Sequence, residues 1–126
     1  MHPTEMKTAL HPQLENQPNY IKKQAQGLIH FILNNIGNAD LGVLELALEA
    51  GMSERQLYRW MQHYFNTTPN LFIRHIKMEQ ARRLLELGEY GTVSEVAYAV
   101  GYKQPGYFTQ VFEHRFGIKP IDFMRC

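Results

Sequence analysis

The chain has 126 residues, enough for one ordinary domain with its own core and too few for two independent domains joined by a linker. Hydrophobic residues make up 44% and charged residues 20%, the balance of a folded rather than a disordered chain. Thirteen Lys and Arg against twelve Asp and Glu leave a net charge of +1, which excludes a broadly basic surface and confines any anion-binding region to one face.

The lone Cys126 is the last residue, so there is no disulfide framework and no C-x-x-C metal or redox motif. No apolar run is long enough to span a membrane, and the start of the chain lacks the apolar core of a signal peptide. The expectation is a cytoplasmic protein with no membrane partner.

Residues 1 to 19 contain Pro3, Pro12 and Pro18, several Gln and Asn, and no apolar period. They read as a loose tail, or as a linker from an upstream part of a longer chain. From Tyr20 the pattern changes: Ile21, Ala25, Leu28, Ile29, Ile32 and Ile36 recur at helical spacing, with Gly37 as the expected stop.

An internal repeat follows. Glu45-Leu46-Ala47-Leu48-Glu49-Ala50-Gly51-Met52 parallels Glu95-Val96-Ala97-Tyr98-Ala99-Val100-Gly101-Tyr102 at an offset of 50. At an offset of 51 the match continues, pairing Leu57 with Phe108, Trp60 with Val111, Met61 with Phe112, Phe65 with Phe116 and Pro69 with Pro120. Such a period indicates two copies of one supersecondary unit.

Each copy reads as a short helix, a glycine turn and a longer helix. In the first, Gly51 makes the turn, and Ser53 with Gln56 forms a capping box. Leu57, Trp60, Met61, Tyr64 and Phe65 mark the buried face of the longer helix, and Asn66 ends it with a left-handed residue. Thr68-Pro69 then opens a connecting helix from about Asn70 to Leu87, buried through Ile73, Ile76, Ala81, Leu84 and Leu85 and stopped by Gly88. In the second copy Thr92 and Glu95 form another capping box and Gly101 makes the turn. Phe108, Val111, Phe112 and Phe116 are its buried face, and Gly117 terminates it.

The small Ala47 and Ala97 have a steric purpose. Two helices crossing at roughly 90 to 120° over a short turn must approach closely, and a larger side chain would push them apart. The connecting helix, at ~1.5 Å per residue, is about 27 Å long. Major grooves on one face of B-DNA recur every ~34 Å, so a rod of this length can carry a unit at each end into successive grooves.

These features resemble the AraC type of bacterial transcription regulator, over about Tyr20 to Arg125. The residues that carry the resemblance are Leu46-Ala47 to Gly51-Met52-Ser53, Leu57-Tyr58-Arg59 and Ile76 to Ala81-Arg82-Arg83-Leu84-Leu85. The strongest segment runs from Val96-Ala97 through Val100-Gly101-Tyr102, Phe108, Val111-Phe112 and Arg115-Phe116-Gly117 to Pro120. The resemblance implies an all-α, homeodomain-like fold of seven helices. Its implied division is a helix-turn-helix subdomain at 20–69, a linker helix at 70–87 and a second subdomain at 88–126. It further implies double-stranded promoter DNA as partner, contact with RNA polymerase, and a sensory or receiver domain in a longer parent protein.

On the longer helix of the first copy, Arg55, Gln56, Tyr58, Arg59 and Gln62 point away from the apolar face and suit base-edge reading. Arg bridges guanine O6 and N7, and Gln bridges adenine N6 and N7. By the resemblance, Arg55, Tyr58 and Arg59 occupy base-contacting positions; the bland reading is that they solvate an exposed helix. The second copy offers Gln104, Gly106, Tyr107, Thr109 and Gln110. There it departs from the family, with Gln110 and Glu113 where basic residues are common, so the second unit is expected to read more weakly.

Ser53 and Thr92, at helix N-termini, are candidate phosphate contacts beyond their capping role, with His63, Lys103, Arg115 and Lys119 as further phosphate neighbours. Arg82 and Arg83 follow Glu79 by three and four residues and read as intrahelical ion pairs. His30 and His75 read as ordinary helix residues, and Trp60, Phe65, Phe108, Phe112 and Phe116 as core. No Gly-rich phosphate loop, metal-ligand cluster or nucleophile–base pair is evident, so neither an enzyme nor a cofactor or metal site is expected. The near-neutral charge keeps a second reading open, a helical protein-interaction module without specific DNA affinity.

Overall fold

The computed structural model describes residues 14–124. Seven helices run from Asn19 to Met124: α1 (Asn19–Asn34), α2 (Val43–Ala50), α3 (Glu54–Phe65), α4 (Pro69–Leu87), α5 (Val93–Ala99), α6 (Pro105–Phe116) and α7 (Pro120–Met124). No strand occurs among the described residues, and the fold is all-α.

The chain forms two compact units. The first holds Leu41–Ile76 and the described residues up to Asn35; the second holds Ile36–Asp40 and everything described from Lys77 onward. The division falls inside α4 rather than at its ends, because that helix contributes side chains to both cores. Phe72, Ile73, His75, Ile76, Lys77, Met78, Glu79 and Ala81 are all buried, a helix covered on most of its circumference. The 36–40 loop follows α1 in sequence but packs with the second unit.

In the first unit α1 buries Ile21, Ala25, Leu28, Ile29 and Ile32. It ends earlier than Gly37 suggests: the Asn35 N–H closes the helix on the Ile32 and Leu33 carbonyls. Gly37 lies in the loop beyond, its α-carbon facing the Ala99 carbonyl. The loose-tail reading of 1–19 also needs correction over its last residues, while residues 1–13 lie outside those described. Leu14 is 4% exposed and packs with Ile21, Ala25 and Phe65, next to Trp60 and Tyr64. The Gln17 side chain donates to the Tyr64 carbonyl at 2.8 Å. A single leucine in a polar stretch creates no period, so its burial leaves no mark on the pattern.

Helix α3 buries Leu57, Met61 and Phe65. Trp60 and Tyr64, expected with them, lie at the edge of the core and are half-buried, their rings 5.8 Å apart. Asn66, with φ of 53°, ends the helix in the left-handed region, and the Thr68 hydroxyl accepts from Leu71 N–H at the start of α4.

The second core is Met78, Ala81, Leu85, Val96, Ala97, Val100, Phe108 and Phe112, with Val111, Phe116 and Phe123 half-buried around it. Two charged residues of α4 lie within it. The Glu79 carboxylate bonds Arg82 at 2.9 Å and Arg115, on α6, at 3.2 Å. This pair ties α6 to α4. Both guanidiniums keep some exposure (21% and 28%) against 7% for Glu79, so less is lost than in a fully buried pair. Glu79→Ala is expected to cost about 1–2 kcal/mol in urea denaturation.

Lys77 is 6% exposed, with Nζ 3.4 Å from the Asn38 carbonyl and 5.7 Å from the Tyr102 ring centroid. Burial holds its pKa below the ordinary lysine value.

Candidate nucleic-acid interface

The two helix-turn-helix turns are built by the same bonds. In the first, the Gly51 N–H donates to Leu48 O and Met52 N–H to Ala47 O, at 3.2 and 3.0 Å. In the second, Gly101 N–H donates to Tyr98 O and Tyr102 N–H to Ala97 O, at 3.0 and 2.9 Å. Both glycines take positive φ, 69° and 83°, and both alanines are buried where the short helix meets the long one. The copies diverge after the turn. One residue separates Gly51 from the N-cap Ser53, whereas two separate Gly101 from the N-cap Gln104. That extra residue is why the repeat slips from an offset of 50 to 51.

On α3 the bury–expose alternation leaves Arg55, Tyr58, Arg59 and Gln62 on one outward face, at i, i+3, i+4 and i+7. Neither Arg55 nor Arg59 forms an ion pair among the described residues, so both guanidiniums present their donors to solvent. The other polar groups of α3 have work within the fold. Gln56 Oε1 accepts from Ser53 N–H at 2.8 Å, and Ser53 Oγ accepts from Gln56 N–H at 3.1 Å. Gln62 Nε2 donates to Asn66 Oδ1 at 2.8 Å, across the C-terminal end. His63 is exposed with its ring edge-on to Tyr64 at 4.5 Å. The exposed face of α3 therefore carries Arg55, Tyr58 and Arg59, with Gln62 beside them.

At the N-cap and along α6, Gln104, Gly106, Tyr107 and Gln110 are exposed, whereas Thr109 is half-buried. Tyr107 lies against Tyr102, centroids 6.0 Å apart. A Cβ on Gly106 would meet nothing within 4 Å, so that side of the helix is open. Glu113 and His114 extend the same exposed surface.

The candidate phosphate contacts separate into two groups. His63, Lys103 and Lys119 are exposed, Lys103 with only a loose pair to Asp40 at 3.4 Å. Arg115 is engaged by the buried Glu79, and the Thr92 N–H is taken by Glu95 Oε1 at 3.2 Å while its hydroxyl caps Glu95 N–H at 3.1 Å. Arg115 and Thr92 thus hold internal partners, as does Ser53 through its two capping bonds with Gln56.

Sequence reasoning missed Lys77, and it placed Glu79 only as a partner for arginines on its own helix, as Arg82 is, and not for Arg115. The signal was available for Lys77: it follows Ile73 by four residues and so sits on the apolar stripe through Ile73, Ile76 and Ala81. A charge on that stripe is itself informative. The Glu79–Arg115 contact, across 36 positions, had no such marker.

Residues 46–125 match the helix-turn-helix domain family. "Histidine kinase P4" of Formosa agariphila is 33% identical over 90 residues, covering 71% of this chain and 6% of that protein. "Transcriptional activator RhrA" of Rhizobium meliloti is 30% identical over 95 residues, covering 72% of this chain and 29% of that one. The chain thus spans under a third of either relative. Among solved structures, the DNA-binding domain of AdpA, "the global transcriptional factor, in complex with a target DNA", superposes with a TM-score of 0.70 at 27% identity, covering 80% of this chain and 88% of that chain. Among the described residues no helix is long and apolar enough to cross a membrane, and no group of three or more His, Cys, Asp or Glu is placed to hold a metal.

Proposed function

The chain belongs to the AraC-type helix-turn-helix family of transcription regulators, and from that premise we propose that it reads a specific double-stranded DNA site through α3 and α6. In this reading the two helices enter adjacent major grooves and control initiation at a bacterial promoter, in the cytoplasm and without enzymatic chemistry. The observation that carries the reading is the repeated turn, which gives each unit an outward polar helix face at the equivalent place, with Arg55 and Arg59 uncommitted on the first. Arg55 and Arg59 supply donor pairs for guanine, Gln104 and Gln110 donor–acceptor pairs for adenine, and Tyr58 and Tyr107 apolar contact beside them. The exposed His63, Lys103 and Lys119 hold the flanking phosphates, with the capping hydroxyls of Ser53 and Thr92 as further donors to them.

The longer lengths of the relatives support a sensory or receiver part in the parent protein, and the name of the Rhizobium relative, a transcriptional activator, supports RNA polymerase as a partner. A second reading, protein interaction without specific DNA affinity, is favoured by the net charge of +1 and by Leu44 and Leu48, 51% and 71% exposed one turn apart on α2.

Selection from random oligonucleotides at about 50 and 150 mM salt separates the two. An enriched asymmetric motif spanning about two helical turns supports the DNA reading. No enrichment at either salt sinks it for the chain alone and favours protein interaction. The few exposed cations near the reading faces also set the salt dependence. A log–log slope well short of the about −10 of strongly electrostatic binders is expected, and a slope reaching that value contradicts the phosphate assignment.

A further inference from the structure

We propose that Lys77 is a positioning residue for α6, clamping the longer turn of the second unit against the 36–40 loop so that Tyr107 and Gln110 meet DNA in register. The inference rests on the DNA-reading function proposed above.

Stability does not account for a lysine at this place. An apolar side chain of the same length would fill the site without the cost of stripping water from an ammonium, and such exchanges are commonly neutral or stabilising. What the ammonium supplies is a set of directed contacts around the turn. Nζ donates to the Asn38 carbonyl and lies over the Tyr102 ring. It stands 2.8 Å from the place a Cβ on Gly101 would occupy, with the Ile36 and Asn38 carbonyls at 2.6 and 3.2 Å from the same point. Lysine, loop and turn therefore meet at one spot. Tyr102 passes the constraint on, with its ring 6.0 Å from Tyr107 and 5.6 Å from Phe108, in the first turn of α6.

The first unit shows why the second needs such a clamp. Helix α3 is held locally: Ser53 and Gln56 exchange capping bonds, and the turn is one residue shorter. Gln104 makes no side-chain capping bond, so α6 begins without that anchor after a longer turn. The exposed Lys103–Asp40 pair, at 3.4 Å between side chains 73% and 84% exposed, is too solvated to replace it. The loop is held from inside, by Lys77.

The test uses the whole chain and three proteins: wild type, Lys77→Met and Lys77→Arg. In hydrogen exchange without DNA, Lys77→Met should speed exchange of the Phe108 N–H, which bonds Gln104 O, by about tenfold. Residues 54–65 should keep their wild-type rates, the melting temperature should hold or rise, and Lys77→Arg should restore slow exchange. On the selected oligonucleotide, Lys77→Met should bind about tenfold more weakly. It should also become indifferent to scrambling of the half assigned to α6 by Gln110→Ala, while staying sensitive to the other half. Unchanged exchange at Phe108, or faster exchange spread equally over both units, overturns the clamp. A wild-type protein indifferent to both halves overturns the DNA reading, and with it any part of Lys77 in recognition; the exchange result tells the two failures apart.

Discussion

Gly101→Ala is expected to destabilise the protein by about 3 kcal/mol or more, whereas the same change at the repeat-equivalent Gly51 costs about 1–2 kcal/mol. Both glycines hold left-handed backbone, with φ of 83° and 69°, so both substitutions carry the strain of placing a Cβ there. Only Gly101 adds a steric conflict. A Cβ at Gly51 meets nothing within 4 Å, while one at Gly101 falls 2.6 Å from Ile36 O and 2.8 Å from Lys77 Nζ. The lysine end can swing aside; the backbone carbonyl cannot move without shifting the loop. Trp60, the single tryptophan, lies in the first unit, so its fluorescence follows that unit while circular dichroism follows both. Gly101→Ala should therefore lose helical signal at a lower urea concentration than it loses the Trp60 signal. Equal losses for the two variants would mean that the 36–40 loop does not press on the second turn.

The contrast between these glycines also marks what is legible in the chain itself. The helices, both capping boxes, the left-handed Asn66 and the two turns follow from local rules, in which spacing and cap chemistry act within a few residues. Arg55, Tyr58 and Arg59 are legible for the same reason, since the residues that alternate with Leu57 and Met61 must face outward. Contacts made by residues far apart in sequence are not legible. Leu14 is buried by α3, Asn38 is held by a lysine 39 positions later, and Arg115 meets Glu79 across 36. None of these leaves a period. The Arg115 pairing bears most on the proposed function, because it removes the one arginine that α6 has from its uncommitted side chains.

That removal sharpens the expected effect of Arg55→Ala combined with Arg59→Ala, a loss of about 100-fold or more in specific affinity. Each bidentate guanine contact discriminates by about 1–3 kcal/mol, and two residues one turn apart share one stretch of groove, so their losses combine without being fully additive. Both side chains are exposed and outside the cores, so the doubly substituted protein should melt with the wild type. Gln110→Ala should cost about tenfold at most, because α6 presents amides, Tyr107 and the repulsive Glu113 where α3 presents two cations. The physical basis of the asymmetry is commitment. The α3 arginines form no ion pair among the described residues, while the α6 arginine shares the buried Glu79 carboxylate with Arg82 and would lose that bond by turning away. Fluorescence anisotropy on the selected oligonucleotide and on a scrambled one measures the difference directly. If Arg59→Ala kept full specific affinity while Gln110→Ala abolished it, α6 rather than α3 would be the principal reader, and the assignment of specificity to the uncommitted arginines would be wrong.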